Sequence, residues 1–232
     1  MINYGHHGET RARFDAVLDE LQQGMVDLGS LITENLRRAG EAMRHGRLEL
    51  IGDVRAADRE IDRRYLALER RTFETIARQQ PVARDLRFLI AATRVLYEQE
   101  RSGDLVVNCV NMLERLEGFP EQPGMQALLS RTVDTAAGLF AMSVDALATM
   151  DEGAGPRLDE ADDELDILVS RMYTEIGADA ATIGLETAIV MSRVARFLER
   201  IGDHAVNIAE NVTYIVTSQF PDATRITPSD QA

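Results

Sequence analysis

The chain repeats itself, and the repeat restricts what it can fold into more than any single motif does. Glu100-Arg101-Ser102-Gly103-Asp104, leading to Val107-Asn108, returns as Glu199-Arg200-Ile201-Gly202-Asp203, leading to Val206-Asn207. Arg94-Val95 returns at the same offset as Arg193-Val194. A second pair of acids recurs upstream, where Ala57-Asp58-Arg59-Glu60-Ile61-Asp62 resembles Ala161-Asp162-Asp163-Glu164-Leu165-Asp166. The interval from Asp58 to Glu100 exceeds that from Asp162 to Glu199 by five residues, so the hairpin between the motifs is shorter in the second copy. Two copies of one unit call for two similar substructures, each able to bury an apolar face.

The apolar spacing says what kind of substructure. Phe14, Val17, Leu21, Met25, Leu28, Ile32, Leu36, Ala39 and Met43 advance by three, four and four residues in turn. That averages close to the helical period, so the spacing predicts one long amphipathic helix with an eleven-residue repeat, straighter than a heptad coiled coil. Gly46 breaks it, and a second helix carries Ile51, Val54, Ile61, Tyr65, Leu68 and Ile76 on one stripe, with Asp58 where an apolar residue is expected. Arg78 to Val82 makes a turn, with Pro81 suited to the start of a helix running from about Val82 to Leu116. Gly118, Pro120, Pro123 and Gly124 mark a linker. The second half repeats the order: a helix from Met125 to Met150, a shorter one through Leu158 and Ile176, a turn at Gly177 to Thr182, and a last helix from about Ile183 to Ser218.

No stretch sustains period-two alternation, so no sheet is expected. The fold class is all-α, with two tandem three-helix bundles packed side by side. The first bundle takes residues 1–118 with a tail over about 1–12, the second takes 125–218, and 219–232 reads as a flexible tail.

Residues four apart lie one above the other on a helix face. Asp58/Asp62, Glu100/Asp104, Asp162/Asp166 and Glu199/Asp203 therefore each present two carboxylates in one direction. Their apolar neighbours turn them inward, and antiparallel helices would bring four carboxylates together in each half. Like charges so placed repel, more strongly as water is removed. Two kinds of partner relieve that repulsion. One is arginine, from Arg94 and Arg101 in the first half and Arg193 and Arg200 in the second. The other is a hard or borderline cation such as Mg²⁺, Mn²⁺, Fe or Ca²⁺. Zn is less favoured, because no histidine or cysteine recurs with the acids; His204 follows Asp203, but Leu105 takes that place in the first copy. Gly103 and Gly202 cost about 1 kcal/mol each within a helix. They serve either close approach of the facing aspartates or ordinary tight packing. Asn108 and Asn207, one turn further on, are candidates to orient a carboxylate.

Composition narrows the function classes. The net charge of −14 argues against nucleic acid as a main partner and against direct docking on anionic lipid. Cys109 is the single cysteine, so no intrachain disulfide forms, and a reducing, cytoplasmic setting is expected. No signal-peptide core or membrane-spanning run is legible. No nucleophile elbow, phosphate loop or dinucleotide fingerprint is present, so no catalytic residue is assigned and the chain is not read as an enzyme. A di-iron-type metalloenzyme would need Glu-x-x-His motifs, which none of the four acid pairs forms.

These motifs resemble the PhoU family of phosphate-signalling regulators. Arg78-Gln79-Gln80-Pro81-Val82-Ala83-Arg84-Asp85-Leu86-Arg87 looks like one signature of the family, and Leu198 to Glu210 looks like the other. The likeness spans Phe14 to about Val216. It implies tandem three-helix bundles whose E/D-x-x-x-D motifs bind metal, here Asp58, Asp62, Glu100, Asp104, Asp162, Asp166, Glu199 and Asp203. It also implies a regulator that restrains phosphate uptake and starvation signalling through the ATPase subunit of the phosphate ABC transporter and the sensor histidine kinase. The long helices offer wide faces for homodimerisation or partner docking, and a homodimer is expected. The first copy departs from the family pattern, with Gln99 and Ser102 at usually apolar positions and Glu98 in place of aspartate. A metal-free adaptor with Arg-paired carboxylates is the alternative.

Overall fold

The computed structural model describes residues 5–116, 118–119 and 122–219, with side chains from Arg11 onward. It contains α1 (Gly5–His45), a short 3-10 turn at Leu48–Leu50, α2 (Ile51–Gln79), α3 (Ala83–Arg115), α4 (Pro123–Thr149), α5 (Ala154–Ile183) and α6 (Leu185–Thr217). No strand occurs among the described residues. The expected tail beyond 219 lies outside them, and α1 begins at Gly5, ahead of the expected start at Phe14.

The periodic positions of α1 form its buried stripe. Leu21, Met25, Leu28, Ile32, Leu36, Ala39 and Met43 are all at most 2% exposed. An eleven-residue repeat keeps that stripe on one side of a straight helix, which lets α1 pack along α2, α3 and α4 together. Each fully buried leucine or isoleucine contributes about 1.5–3 kcal/mol. α4 plays the matching part in the second half, packing on α1, α5 and α6.

The remaining four helices form one layer in the order α2, α3, α6, α5, with α1 and α4 behind it. α3 and α6 run antiparallel through its centre. At one end Arg87 Nε donates to the Ile215 carbonyl at 3.2 Å, and at the other the Arg115 guanidinium meets Glu186 at 2.9 Å. The α2–α3 and α5–α6 tips therefore lie at opposite ends of the molecule, as an approximate two-fold relation between the halves requires.

The second hairpin is shorter for a visible reason. Residues 80–82 join α2 to α3, whereas Gly184 alone joins α5 to α6, and the run from the start of α6 to Glu199 is also shorter. The turn expected at Gly177 to Thr182 is not one. α5 continues through it to Ile183, because alanines and Thr182 follow Gly177 and hold helical geometry until Gly184, at φ 81°, ends the helix. No described helix is long and apolar enough to cross a membrane.

Candidate metal centres

Helix period places the carboxylates. Val54 and Ile61, both 0% exposed, turn the Asp58 face of α2 toward α3. Asp62 is one turn further along the same face. From α3, Glu100 and Asp104 come up on the side that meets α2, with Gly103 between them. A Cβ at Gly103 would stand 3.3 Å from Ile61 Cγ2 and 3.4 Å from Asp58 Oδ1. In the second half a Cβ at Gly202 would collide with Asp162 Oδ1 and Leu165 Cδ2. Both glycines thus admit the facing aspartate against the helix backbone, more tightly at Gly202.

The two halves share one gradient of burial. Asp58 and Asp162 are half-buried, while Asp62, Asp166 and Asp203 reach solvent. Glu100 and Glu199 side chains are 23% exposed in each case, and Asp104 is 44% exposed. Each site is a shallow slot with one inner aspartate and three outer acids.

The inner aspartates carry the electrostatic load. Loss of water pushes the Asp58 carboxyl up to about 6, with Asp62, Asp104 and Glu100 adding repulsion and Arg59 opposing it. Asp162 is pushed up to about 7, again by desolvation first and then by Asp166, Asp203, Asp159 and Asp163. Glu100 is raised by desolvation and Asp104, and Asp166 by desolvation and Glu199. Asp203 is raised the same way although its side chain meets solvent, because packed α5 and α6 atoms still strip part of its water.

Arginine reaches the rims of these slots and not their depths. Arg101 lies 3.6 Å from Glu100 and 3.5 Å from Asp104, both long contacts. Arg196, rather than Arg193 or Arg200, pairs with Glu199 at 2.7 Å. Among the described residues Arg94, Arg193 and Arg200 make no ion pair with the eight carboxylates, and Asn108 and Asn207 direct no side-chain hydrogen bond at them. Asp58 Oδ1 and Asp162 Oδ1 are buried without a hydrogen-bond partner. A buried, orphaned carboxylate oxygen costs about 1–3 kcal/mol or more, and the same oxygen is left open in both halves.

Those oxygens fit a hard cation: the donors are all carboxylates and each inner one lacks a partner. The outer acids stand apart, since among the described residues no three acid, histidine or cysteine side chains converge as a ready-made ion cage. Arg101 lies against Glu100 and Asp104, and Arg196 against Glu199, at the solvent side of the slots.

A pH dependence follows for metal-free protein. A carboxyl whose folded pKa is raised holds its proton in the folded state after the unfolded chain has released it, so folding gains from acid and loses as pH rises. The loss runs from the unfolded value of 3.8 through about 6 for Asp58 and about 7 for Asp162. Asp58→Asn with Asp162→Asn removes the two largest contributions. The melting temperature of metal-free wild type should fall relative to this variant between about pH 4 and about pH 7; parallel curves would contradict the assignment.

One buried polar pair escaped the sequence. His204 is 8% exposed, and its Nδ1 meets Glu98 Oε2 across the α3–α6 contact that joins the two halves. Its Nε2 is buried without a partner. The repeat-related positions are Leu105 and Phe197, so the repeat comparison set His204 aside; the signal lay in reading across the antiparallel pair, where 98 meets 204 between the 87–215 and 115–186 contacts. The polar departures beside it are accommodated in part, with Gln99 Oε1 left buried and unpartnered. Gln99, 0% exposed, donates to the Met25 carbonyl at 2.9 Å, and Ser102 Oγ donates to the Glu98 carbonyl at 2.8 Å. Glu98→Ala leaves the imidazole unpartnered on both nitrogens and should cost about 1 kcal/mol, up to 3. Glu98→Leu with His204→Leu should recover part of that loss in urea unfolding.

Comparison with known proteins gives one consistent result. The PhoU domain family model matches residues 25–113 and again 129–212. The chain is 31% identical over 210 residues to a phosphate-specific transport system accessory protein PhoU homolog of Synechocystis, covering 90% of this chain and 93% of that one. It is 33% identical to the similarly named protein of Deinococcus radiodurans, covering 89% and 98%. The fold matches the crystal structure of PhoU from Pseudomonas aeruginosa with a TM-score of 0.83 at 24% identity, covering 89% of this chain and 100% of that one. The PhoU structure from Streptococcus pneumoniae gives 0.81 at 22% identity, covering 90% and 99%.

Proposed function

The chain belongs to the PhoU family, and from that premise we propose that it is an accessory regulator of phosphate transport rather than an enzyme. In this reading it restrains phosphate uptake and phosphate-starvation signalling by contact with the ATPase subunit of the phosphate ABC transporter and with the sensor histidine kinase. It works from the cytoplasm and self-associates through its long helical faces. The observation that carries the reading is its likeness, over about nine-tenths of the chain, to proteins named as accessories of the phosphate-specific transport system.

The two slots are proposed as its metal sites. Asp58, Asp62, Glu100 and Asp104 would hold one centre, and Asp162, Asp166, Glu199 and Asp203 the other. Mn²⁺, Fe or Mg²⁺ suits such oxygen donors, and Zn suits them less. A bound cation supplies positive charge that relieves the carboxylate repulsion in each slot. The chain's own residues do the rest. Asp58 and Asp162 offer the unpartnered inner oxygens, and the outer acids close over them. Gly103 and Gly202 keep the backbone out of the way. Closing a slot draws α2 toward α3, or α5 toward α6, and so ties the outward faces of the layer to the state of the site.

Deletion of the gene tests the regulatory reading. Alkaline phosphatase expression at high phosphate should rise to starvation levels, and the wild-type gene should restore repression. Unchanged repression in the deletion strain would contradict it.

A further inference from the structure

The α2–α3 tip departs from its repeat mate in ways the scaffold does not need. Between Glu74 and Asp85 the only charges are Arg78 and Arg84, whereas between Glu175 and Glu186 at the other tip the only charge is Asp179. Both arginines are exposed, and neither makes an ion pair among the described residues. The chain as a whole carries −14, so a spot with two unpaired arginines runs against its overall charge balance.

The backbone there is also held in an unfavourable form. Gln80 sits at φ 45° and Ala83 at φ 50°, while the other tip uses Gly184 at φ 81°. Glycine adopts that region freely, but a residue with a Cβ loses about 1–2 kcal/mol there. Strain of this kind persists only where the surroundings fix it. Here the Asp85 amide donates to the Val82 carbonyl at 3.2 Å, Arg11 pairs with Asp85 at 2.5 Å, and Arg87 is anchored on the Ile215 carbonyl. The result is a stiff projection with Val82, 72% exposed, at its apex between the two arginines.

We propose that this tip is a docking surface for a partner protein that offers a small apolar pocket rimmed by carboxylates. A valine fills such a pocket, and two flanking guanidiniums pair with its rim. Because the tip is already fixed, little ordering entropy opposes binding. An anionic membrane is the poorer match: one valine buries little in lipid, and a chain of net charge −14 is repelled by the surface as a whole. The transport-regulator reading names the first partner to look for, the transporter ATPase subunit, and the proposal rests on that reading for nothing else.

The test places p-benzoylphenylalanine at position 79, exposed beside Arg78 and leaving Val82 in place, in the full chain in its own cells, with position 185 as control, and maps the photo-crosslinked peptides by mass spectrometry. The expected result is one protein adduct from position 79, on a segment rich in aspartate and glutamate. Arg78→Glu with Arg84→Glu should lower its yield at least tenfold, and Arg78→Lys with Arg84→Lys should keep most of it. No adduct at 79, an adduct to lipid or to a second copy of the chain, or a yield indifferent to charge reversal overturns the proposal. An adduct to a carboxylate-rich protein outside phosphate transport keeps the docking surface and removes the ATPase as its partner. Capture of the ATPase from position 185 alone does the reverse.

Discussion

Protein stripped of metal and then given Mn²⁺ at a hundred times its dissociation constant should melt about 5–10 °C higher for each slot filled. A ligand that binds only the folded state at that excess contributes about 2.7 kcal/mol, and a chain of this length gains about 2–4 °C per kcal/mol. The gain has a local source. Without positive charge, Asp58 and Asp162 either keep a proton or face three neighbouring acids across partly dry space. Asp58→Asn should remove the contribution of the first slot, Asp162→Asn that of the second, and the double variant nearly all of it. The two slots share no carboxylate, so the single losses should add to within about 0.5 kcal/mol. A melting curve indifferent to Mn²⁺, Fe and Mg²⁺ would instead favour an adaptor whose acids are balanced by Arg101 and Arg196 at the rims.

Of the two slot glycines, Gly202→Ala should be clearly damaging and Gly103→Ala mild. At 202 the new Cβ collides with both the Asp162 carboxylate and the Leu165 side chain, so both must shift to admit it. Overpacking of this kind costs about 1–3 kcal/mol. At 103 the nearest atoms are 3.3 Å and 3.4 Å away, so small shifts absorb the methyl. Alanine also regains up to about 1 kcal/mol of helix propensity at either position, which offsets most of the cost at 103 and part of it at 202. Urea unfolding of the two variants reads the difference directly. Gly202→Ala should also weaken Mn²⁺ binding at the second slot alone, because it displaces Asp162. Equal stability of the two variants would show that the glycines serve general helix packing rather than the approach of the aspartates.

Much of this was legible from residues alone. The eleven-residue spacing of Phe14 to Met43 marked α1, because one straight stripe has a period a reader can count. The duplicated acids marked both slots, since an inward aspartate among Val54 and Ile61 breaks an apolar pattern visibly. The end of α5 was misplaced because glycine at 177 reads as a stop, while the actual stop is the positive φ of Gly184. The arginines nearest in sequence were the natural partners for the acids, yet Arg196 is the one that reaches Glu199. Which of several exposed arginines bends toward a carboxylate depends on helix rotation, and a pattern does not record that. The Glu98–His204 contact depends on the antiparallel register of α3 against α6, a relation between halves that neither half contains.

Paired acids that face each other across adjacent helices and hold a metal ion are the centre of the proposed function. Diffraction from crystals grown with Mn²⁺, recorded on both sides of the manganese absorption edge, tests this most directly. Anomalous peaks should appear in two places, among Asp58, Asp62, Glu100 and Asp104 and among Asp162, Asp166, Glu199 and Asp203. Manganese found only elsewhere, or both slots empty with Asp58 and Asp162 still buried and unpartnered, would contradict it.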